Sequence, residues 1–213
     1  MGPIISSIVY VVLSLNLIYL ECVQGVEEVK GYPPSSICAT QECAPYQVVH
    51  TQKQFEIRNY TNSIWIGSGN ITTVSYSVGR SAGYLRTYVY YKGENEDRFE
   101  WKNNTQPVLT DVIPNTSYDS IYRVYLHVPN DYQNKTLPKP YSSNVEFVKL
   151  PPKKLAAVVR FDGLLTDEMI ATELGALKNS LKGTPWESAA AAPGCSVADY
   201  STFNEVILWF DQN

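Results

Sequence analysis

The chain has 213 residues, with 17 basic and 21 acidic side chains and a formal net charge of −4. So mild an acidic balance argues against nucleic acid and anionic membrane surfaces as main partners, since both select strongly basic proteins. The length suits one domain with a sizeable core.

Met1 to Leu20 (MGPIISSIVYVVLSLNLIYL) carries no charged side chain and is followed by ECVQG and a charged start, VEEVKG. An apolar run with Val23 and Gly25 at the −3 and −1 positions of a cut after Gly25 fits a secretory signal peptide. The polar Ser6, Ser7, Ser14 and Asn16 within the run favour cleavage over an uncleaved anchor. Residues 1–25 are read as signal peptide, 26–44 as a Pro-containing leader and 45–213 as the folded domain of a secreted, extracellular protein. No later segment is apolar enough to span a membrane. Five N-x-S/T triplets, at Asn59, Asn70, Asn103, Asn115 and Asn134, fit that compartment as glycosylation acceptors. Cys38 and Cys43 sit five positions apart in the leader and read as a small loop disulfide that pins it to the domain. Cys195 is then left over, as a buried thiol, an alternative partner for the pair, or a link to another molecule. Zinc fits poorly, because C-x4-C has no second ligand pair and the chain holds two histidines.

From Tyr46 the chain reads as strands. YQVVH and QFEIRNY form a hairpin around Thr51-Gln52-Lys53, and SIWIGSG follows as another strand. Alternation puts Phe55, Ile57 and Asn59 on one face and Glu56, Arg58 and Tyr60 on the other. Asn59-Tyr60-Thr61-Asn62 is turn-rich, so the strand is expected to end at Arg58, with Asn59 swinging outward. Over SYSVGRSAGYLRTYVYYKGENE the period changes. Tyr84, Tyr88 and Tyr91 fall at i, i+4 and i+7 with Leu85 and Val89 beside them, a helical stripe capped by Ser75 or Ser77 and ended by Gly93.

PVLTDVI is the next strand, with a turn at Pro114-Asn115. SIYRVYLHVP alternates, with Tyr122, Val124, Leu126 and Val128 facing one way and Arg123, Tyr125 and His127 the other. NVEFVKL, the turn PPKK and LAAVVRF read as a hairpin. TDEMIATELGALKNSLKG is a second helix, capped by Thr166 and ended by Gly183, and YSTFNEVILWF is a last strand. The two halves rhyme: SIWIGSG with YLRTYVYYKG parallels AAVVRFDG with LGALKNSLKG. Two such repeats sharing one sheet give an α+β class.

Little in this pattern carries covalent chemistry. There is no phosphate loop, HExxH or nucleophile elbow, and His50 and His127 read as solvated surface residues. Asp162 belongs to a turn, while Asp167 and Glu168 favour a helix N-terminus. The chain is therefore not expected to be an enzyme. Tyrosine is the unusual residue, with sixteen in the chain. The tyrosine stripe fits either an aromatic helix–sheet interface or one wall of a π-rich groove for a flat ligand.

Several segments together resemble the SOUL haem-binding proteins. FEIRNY is similar to their YEIRxY strand, and AGYLRTYVYYKGENE to their helix followed by GxNE. TQPV resembles the end of MTxPV, YRVYLHVP the xFYVP strand, and NEVILWF the terminal NEVW strand. AAVVRFDGLLTDE, LKGTPW and the Cys-containing lead-in CATQECAPYQVVH also have counterparts, so the resemblance covers Cys38 to Phe210. It implies a distorted, antiparallel β-barrel-like sheet with two helices and a pseudo-twofold internal repeat. It also implies reversible, non-covalent binding of haem or another tetrapyrrole in a shallow apolar groove, for transport or scavenging. The first helix is a wall of that groove, which makes Tyr84, Leu85, Tyr88 and Tyr91 its candidates here and Arg86 a propionate partner.

Three departures bear on the ligand. Where one branch of the family has a histidine proposed to bind iron, this chain has Asn59, whose amide nitrogen has no free lone pair for axial ligation. KIxMTxPV has become WKNNTQPV, exchanging apolar residues for Lys102 and Asn104. The loop before the last strand is shortened to YSTFNEV. The expected partner is haem or another flat hydrophobic small molecule. The alternative is a secreted interaction or defence protein that kept the fold and lost the tetrapyrrole.

Overall fold

The computed structural model of the protein describes residues 31–211, apart from Pro34, Asn103, Ser117 and residues 152–154. The expected signal peptide, the Asn103 acceptor and most of the PPKK turn lie outside the described residues. In chain order the strands of the first half are β1 (Glu42–Cys43), β2 (Tyr46–Thr51), β3 (Glu56–Tyr60), β4 (Ser63–Gly67) and β5 (Ile71–Thr73). Helix α1 (Tyr76–Tyr91) follows, then β6 (Thr105–Gln106), β7 (Val108–Pro114) and β8 (Ser120–His127). The second half holds β9 (Glu146–Leu150), β10 (Leu155–Phe161), α2 (Asp167–Leu181), β11 (Cys195–Asp199) and β12 (Asn204–Phe210).

One antiparallel sheet runs β2-β3-β10-β12-β11-β7-β8-β4-β9, with β5 added on β8, and curls into a half-barrel. The expected α+β class and internal repeat are both present. One repeat is β3-β4-α1-β7-β8 and the other β9-β10-α2-β11-β12, meeting where β11 pairs β7. The first strand of each repeat crosses to the other half, so that β3 pairs β10 and β9 pairs β4. This crossing corrects the expected hairpin of NVEFVKL with LAAVVRF. Pro151 and Pro152 remove two N–H donors where such a hairpin would turn, and both strands find their ladders elsewhere.

The sheet buries both of its faces. On β10, Leu155, Ala157 and Val159 pack on the convex side under α2, with Ile170, Leu177 and Leu181. Ala156 and Val158 point into the concave side with Tyr60, Trp65, Leu109, Tyr200 and Ile207. The α2 N-terminus is capped as expected, the Thr166 hydroxyl accepting the Met169 N–H at 3.1 Å. At α1 the cap differs from expectation. Asp167 Oδ1, from the start of α2, accepts the Tyr76 N–H at 2.9 Å, while Ser75 and Ser77 bond each other. Each helix ends at a glycine with positive φ, Gly93 at 104° and Gly183 at 71°.

Burial of both faces also corrects the reading of the histidines. His127 is fully buried on the concave side, edge-on to Trp65. His50 lies against the Trp186 ring with centroids 4.3 Å apart. His127 Nδ1 has no hydrogen-bond partner among the described residues, and the Glu42 carboxylate is 3.9 Å away. Burial lowers the His127 pKa from 6.5 to about 4. The unfolded chain therefore binds one more proton than the folded chain between those values, so stability is complete above pH 6.5 and falls as pH drops toward 4. The expected loss is on the order of 3 kcal/mol over that window. Urea unfolding at pH 7.5 and at pH 4 measures it. A His127→Phe variant should lose most of this pH dependence; an unchanged slope would place the titration elsewhere.

Candidate functional site

Glycine decides how α1 meets the sheet. A Cβ on Gly79 would collide with the Tyr122 ring, and one on Gly83 with the Val124 side chain, both on β8. The buried face of α1 is accordingly Tyr76, Gly79, Gly83, Thr87 and Tyr90, with Tyr91 at its end. Tyr84 and Tyr88 flank that face, half-buried, with rings stacked 5.5 Å apart and 20° from parallel.

The flank is one side of a cleft of about 240 Å³ that gathers Arg80, Tyr84, Tyr88 and Tyr91. Gln41, Asn104, Gln106, Asp199 and Ser201 complete its polar rim. A second cleft of about 300 Å³ adjoins it, between Tyr76, Ser77 and Arg80 of α1 and Leu164, Leu165 and Phe203. The two share Arg80, Asp199 and Ser201. Arg80 Nη2 pairs with Asp199 Oδ2 at 2.6 Å between them, its guanidinium 5.3 Å from the Tyr84 ring. Asp199 Oδ1 accepts the Ser201 N–H at 3.0 Å, which fixes the carboxylate on the short β11–β12 turn. Burial raises the Tyr84 phenol pKa, so that group remains a neutral hydrogen-bonding ring at physiological pH.

Of the residues expected in the groove, Tyr84, Tyr88 and Tyr91 come together. Leu85 does not: it is 61% exposed on the far side of α1. Nor does Arg86, whose Nη1 donates to the Ser68 and Asn70 carbonyls at 3.3 and 3.5 Å. The cation on the cleft is Arg80. Its signal in the sequence was its position four residues before Tyr84, one turn along the same stripe.

Sequence reasoning also missed a buried charge cluster at one end of the concave face. Arg58, fully buried, donates through Nη1 and Nη2 to both Glu205 oxygens at 2.8 and 2.9 Å. Its Nε donates to Glu56 Oε2 at 2.8 Å, and Nη1 reaches the Tyr60 hydroxyl at 3.2 Å. Arg160 Nε donates to Glu205 Oε1 at 3.0 Å. The leader closes over this group. The Tyr32 N–H donates to Glu56 Oε1 at 2.5 Å, Arg160 Nη1 donates to the Pro33 carbonyl at 2.7 Å, and the Tyr46 ring lies 4.1 Å from the Arg58 guanidinium.

The disulfide joins Cys38 to Cys43. Cys195 is a buried free thiol, its pKa pushed up to about 12 by burial, which makes it a poor nucleophile. Strand β3 continues through Tyr60 rather than ending at Arg58, and Asn59 is exposed within it. Asn70, Asn115 and Asn134 are exposed as well. Among the described residues no group of three or more His, Cys, Asp or Glu could hold a metal ion, and no helix is long and apolar enough to cross a membrane.

Residues 41–209 match the sequence profile described as SOUL heme-binding protein. No curated protein matches. Two solved structures have a similar outline. A bacterial protein assigned to transcription regulation, from Staphylococcus aureus MU50, is 7% identical and aligns over 75% of this chain and 99% of its own, with a TM-score of 0.40. SAV2435 bound to tetraphenylphosphonium is 8% identical and aligns over 73% of this chain and 93% of its own, with a TM-score of 0.39.

Proposed function

The chain belongs to the SOUL haem-binding protein family, and we propose that it is a secreted protein that binds haem or another tetrapyrrole reversibly, for transport or scavenging. The observation that carries this reading is the stacked Tyr84–Tyr88 pair standing with Tyr91 and Arg80 on one cleft of α1. Flat aromatic walls favour a flat ligand, and the guanidinium suits a propionate. At about 240 and 300 Å³ the two α1 clefts lie just below and at the lower end of typical ligand cavities, roughly 300–1,000 Å³. Arg80, which lines both clefts, would hold a propionate in exchange for its pairing with Asp199. Iron ligation by Asn59 is not part of this reading. The family is one of binding proteins. The disulfide and the four exposed acceptor asparagines support secretion.

Haem titration of the glycoprotein secreted from eukaryotic cells, followed by absorbance, tests the reading. Saturation near one haem per chain with a Soret shift is expected. The Tyr84→Ala, Tyr88→Ala double variant should bind about tenfold more weakly, as the loss of one or two aromatic contacts implies. Weak, unsaturable binding sinks the proposal.

One observation favours the alternative of an interaction protein without pigment. Val78, Leu85 and Val89 are exposed along the outer side of α1, with Val74 just before it. Crosslinking from that side to a dedicated protein, with no haem bound, would replace the first reading with the second.

A further inference from the structure

The largest cleft among those described is not on α1. It holds about 530 Å³ and opens between the disulfide loop and the β11–β12 turn. One wall is Ala39, Ala44, Pro45 and the Cys38–Cys43 bridge. The other is the Tyr200–Phe203 pair, stacked with centroids 4.5 Å apart, and Tyr46. Ala44 and Tyr200 also border a narrow apolar crevice that reaches Tyr60, Trp65 and Trp209 inside the half-barrel. An apolar body entering the cleft thus meets aromatic surface along its length.

The charged side chain on this cleft is Arg160. Its guanidinium lies 4.0 Å from the Phe203 ring and makes polar contacts with Glu205 and with the Pro33 carbonyl. Those contacts use three of the five N–H groups of an arginine. The remaining donors are the groups on this cleft suited to a carboxylate. Ser35, also on the cleft wall, has a buried hydroxyl with no hydrogen-bond partner among the described residues.

We infer that the cleft under the leader is a second small-molecule site, touching the α1 clefts only through Phe203, for an amphiphilic monoanion: an apolar or aromatic body with a single carboxylate or sulfonate. The rings and the disulfide loop take the body, and Arg160 with Ser35 takes the anionic head. The leader is one jaw of this site as well as the cover of the charge cluster.

Anilinonaphthalene sulfonate, whose fluorescence rises in apolar surroundings, is the probe. Saturable binding near one per chain is expected, at least fivefold tighter than that of its uncharged analogue phenylnaphthylamine. A long-chain alkanoate and a planar aromatic carboxylate, each titrated as competitor, identify which body the cleft prefers; displacement by either supports the site. Ala39 is exposed, so Ala39→Trp fills the cleft without disturbing the core, and it should weaken the probe about tenfold or more at an unchanged melting temperature. The Tyr84→Ala, Tyr88→Ala variant should bind the probe as the parent does, and haem should not displace it. Unsaturable binding, full affinity in Ala39→Trp, or one-for-one displacement by haem would each overturn the assignment. The first two leave the tetrapyrrole reading untouched, and failure of the haem titration leaves this one untouched.

Discussion

Arg58→Ala is expected to destabilise the protein by about 3–5 kcal/mol, which is what removing one partner of a buried ion pair costs. The size follows from what stays behind. Glu205 would lose two of its charge-assisted hydrogen bonds and keep Arg160, while Glu56 would keep only the Tyr32 N–H among its described partners. Neither carboxylate can reach solvent, since both are buried. A cavity opposite Ala156, which pairs with Arg58 across the ladder, adds to the loss. The variant Arg58→Met, Glu56→Gln separates these causes. It restores volume, leaves net charge unchanged and preserves the Arg160–Glu205 pair, so it should recover at least half of the loss in urea unfolding. Equal loss in both variants would mean that the leader, rather than the charges, supports this end of the sheet.

Gly83→Ala should cost about 1–3 kcal/mol, the usual range for overpacking, although alanine is the better helix former. The added methyl would press on Val124, which is itself fully buried. Relief must come from α1 moving away from β8, and α1 carries Tyr84, Tyr88 and Arg80 with it. Haem affinity is therefore expected to fall with stability. Gly83→Ala with Val124→Ala should be less destabilised than the sum of the single changes, because the second change makes room for the first. Thermal unfolding of the four proteins in a double-mutant cycle reads that coupling. Strict additivity would show that the helix does not rest on this contact.

Helix α1 shows what local sequence reveals and what it hides. Its period and ends were plain in the sequence, yet its apolar stripe was placed too far toward Leu85 and Val89. Hydropathy gives glycine no weight, while close packing gives Gly79 and Gly83 the inner face. The same kind of error hid the charge cluster. Alternation in β3 separates Phe55 and Ile57 from Glu56 and Arg58, and a one-sided sheet would wet the second set. Here the leader seals it, a long-range contact that no local pattern announces. His127 was misread for the same reason. Strand β11, CSVAD, was missed because one valine among small residues gives almost no alternation. The strands with strong local patterns were found, while the β9–β10 pairing failed because pairing is not local. In the groove, three tyrosines were legible by spacing, but Arg80 rather than Arg86 faces them, a difference set by helix rotation.

The crossing of β3 and β9 has a mechanical consequence. Each half of the chain lends a strand to the other, so neither half keeps its full set of ladders when the other opens. The two repeats are interlocked like clasped hands, and releasing one means tearing the edge of both. Either half alone would leave the ladder of its first strand unpaired. The chain should therefore melt in one cooperative step despite its internal repeat.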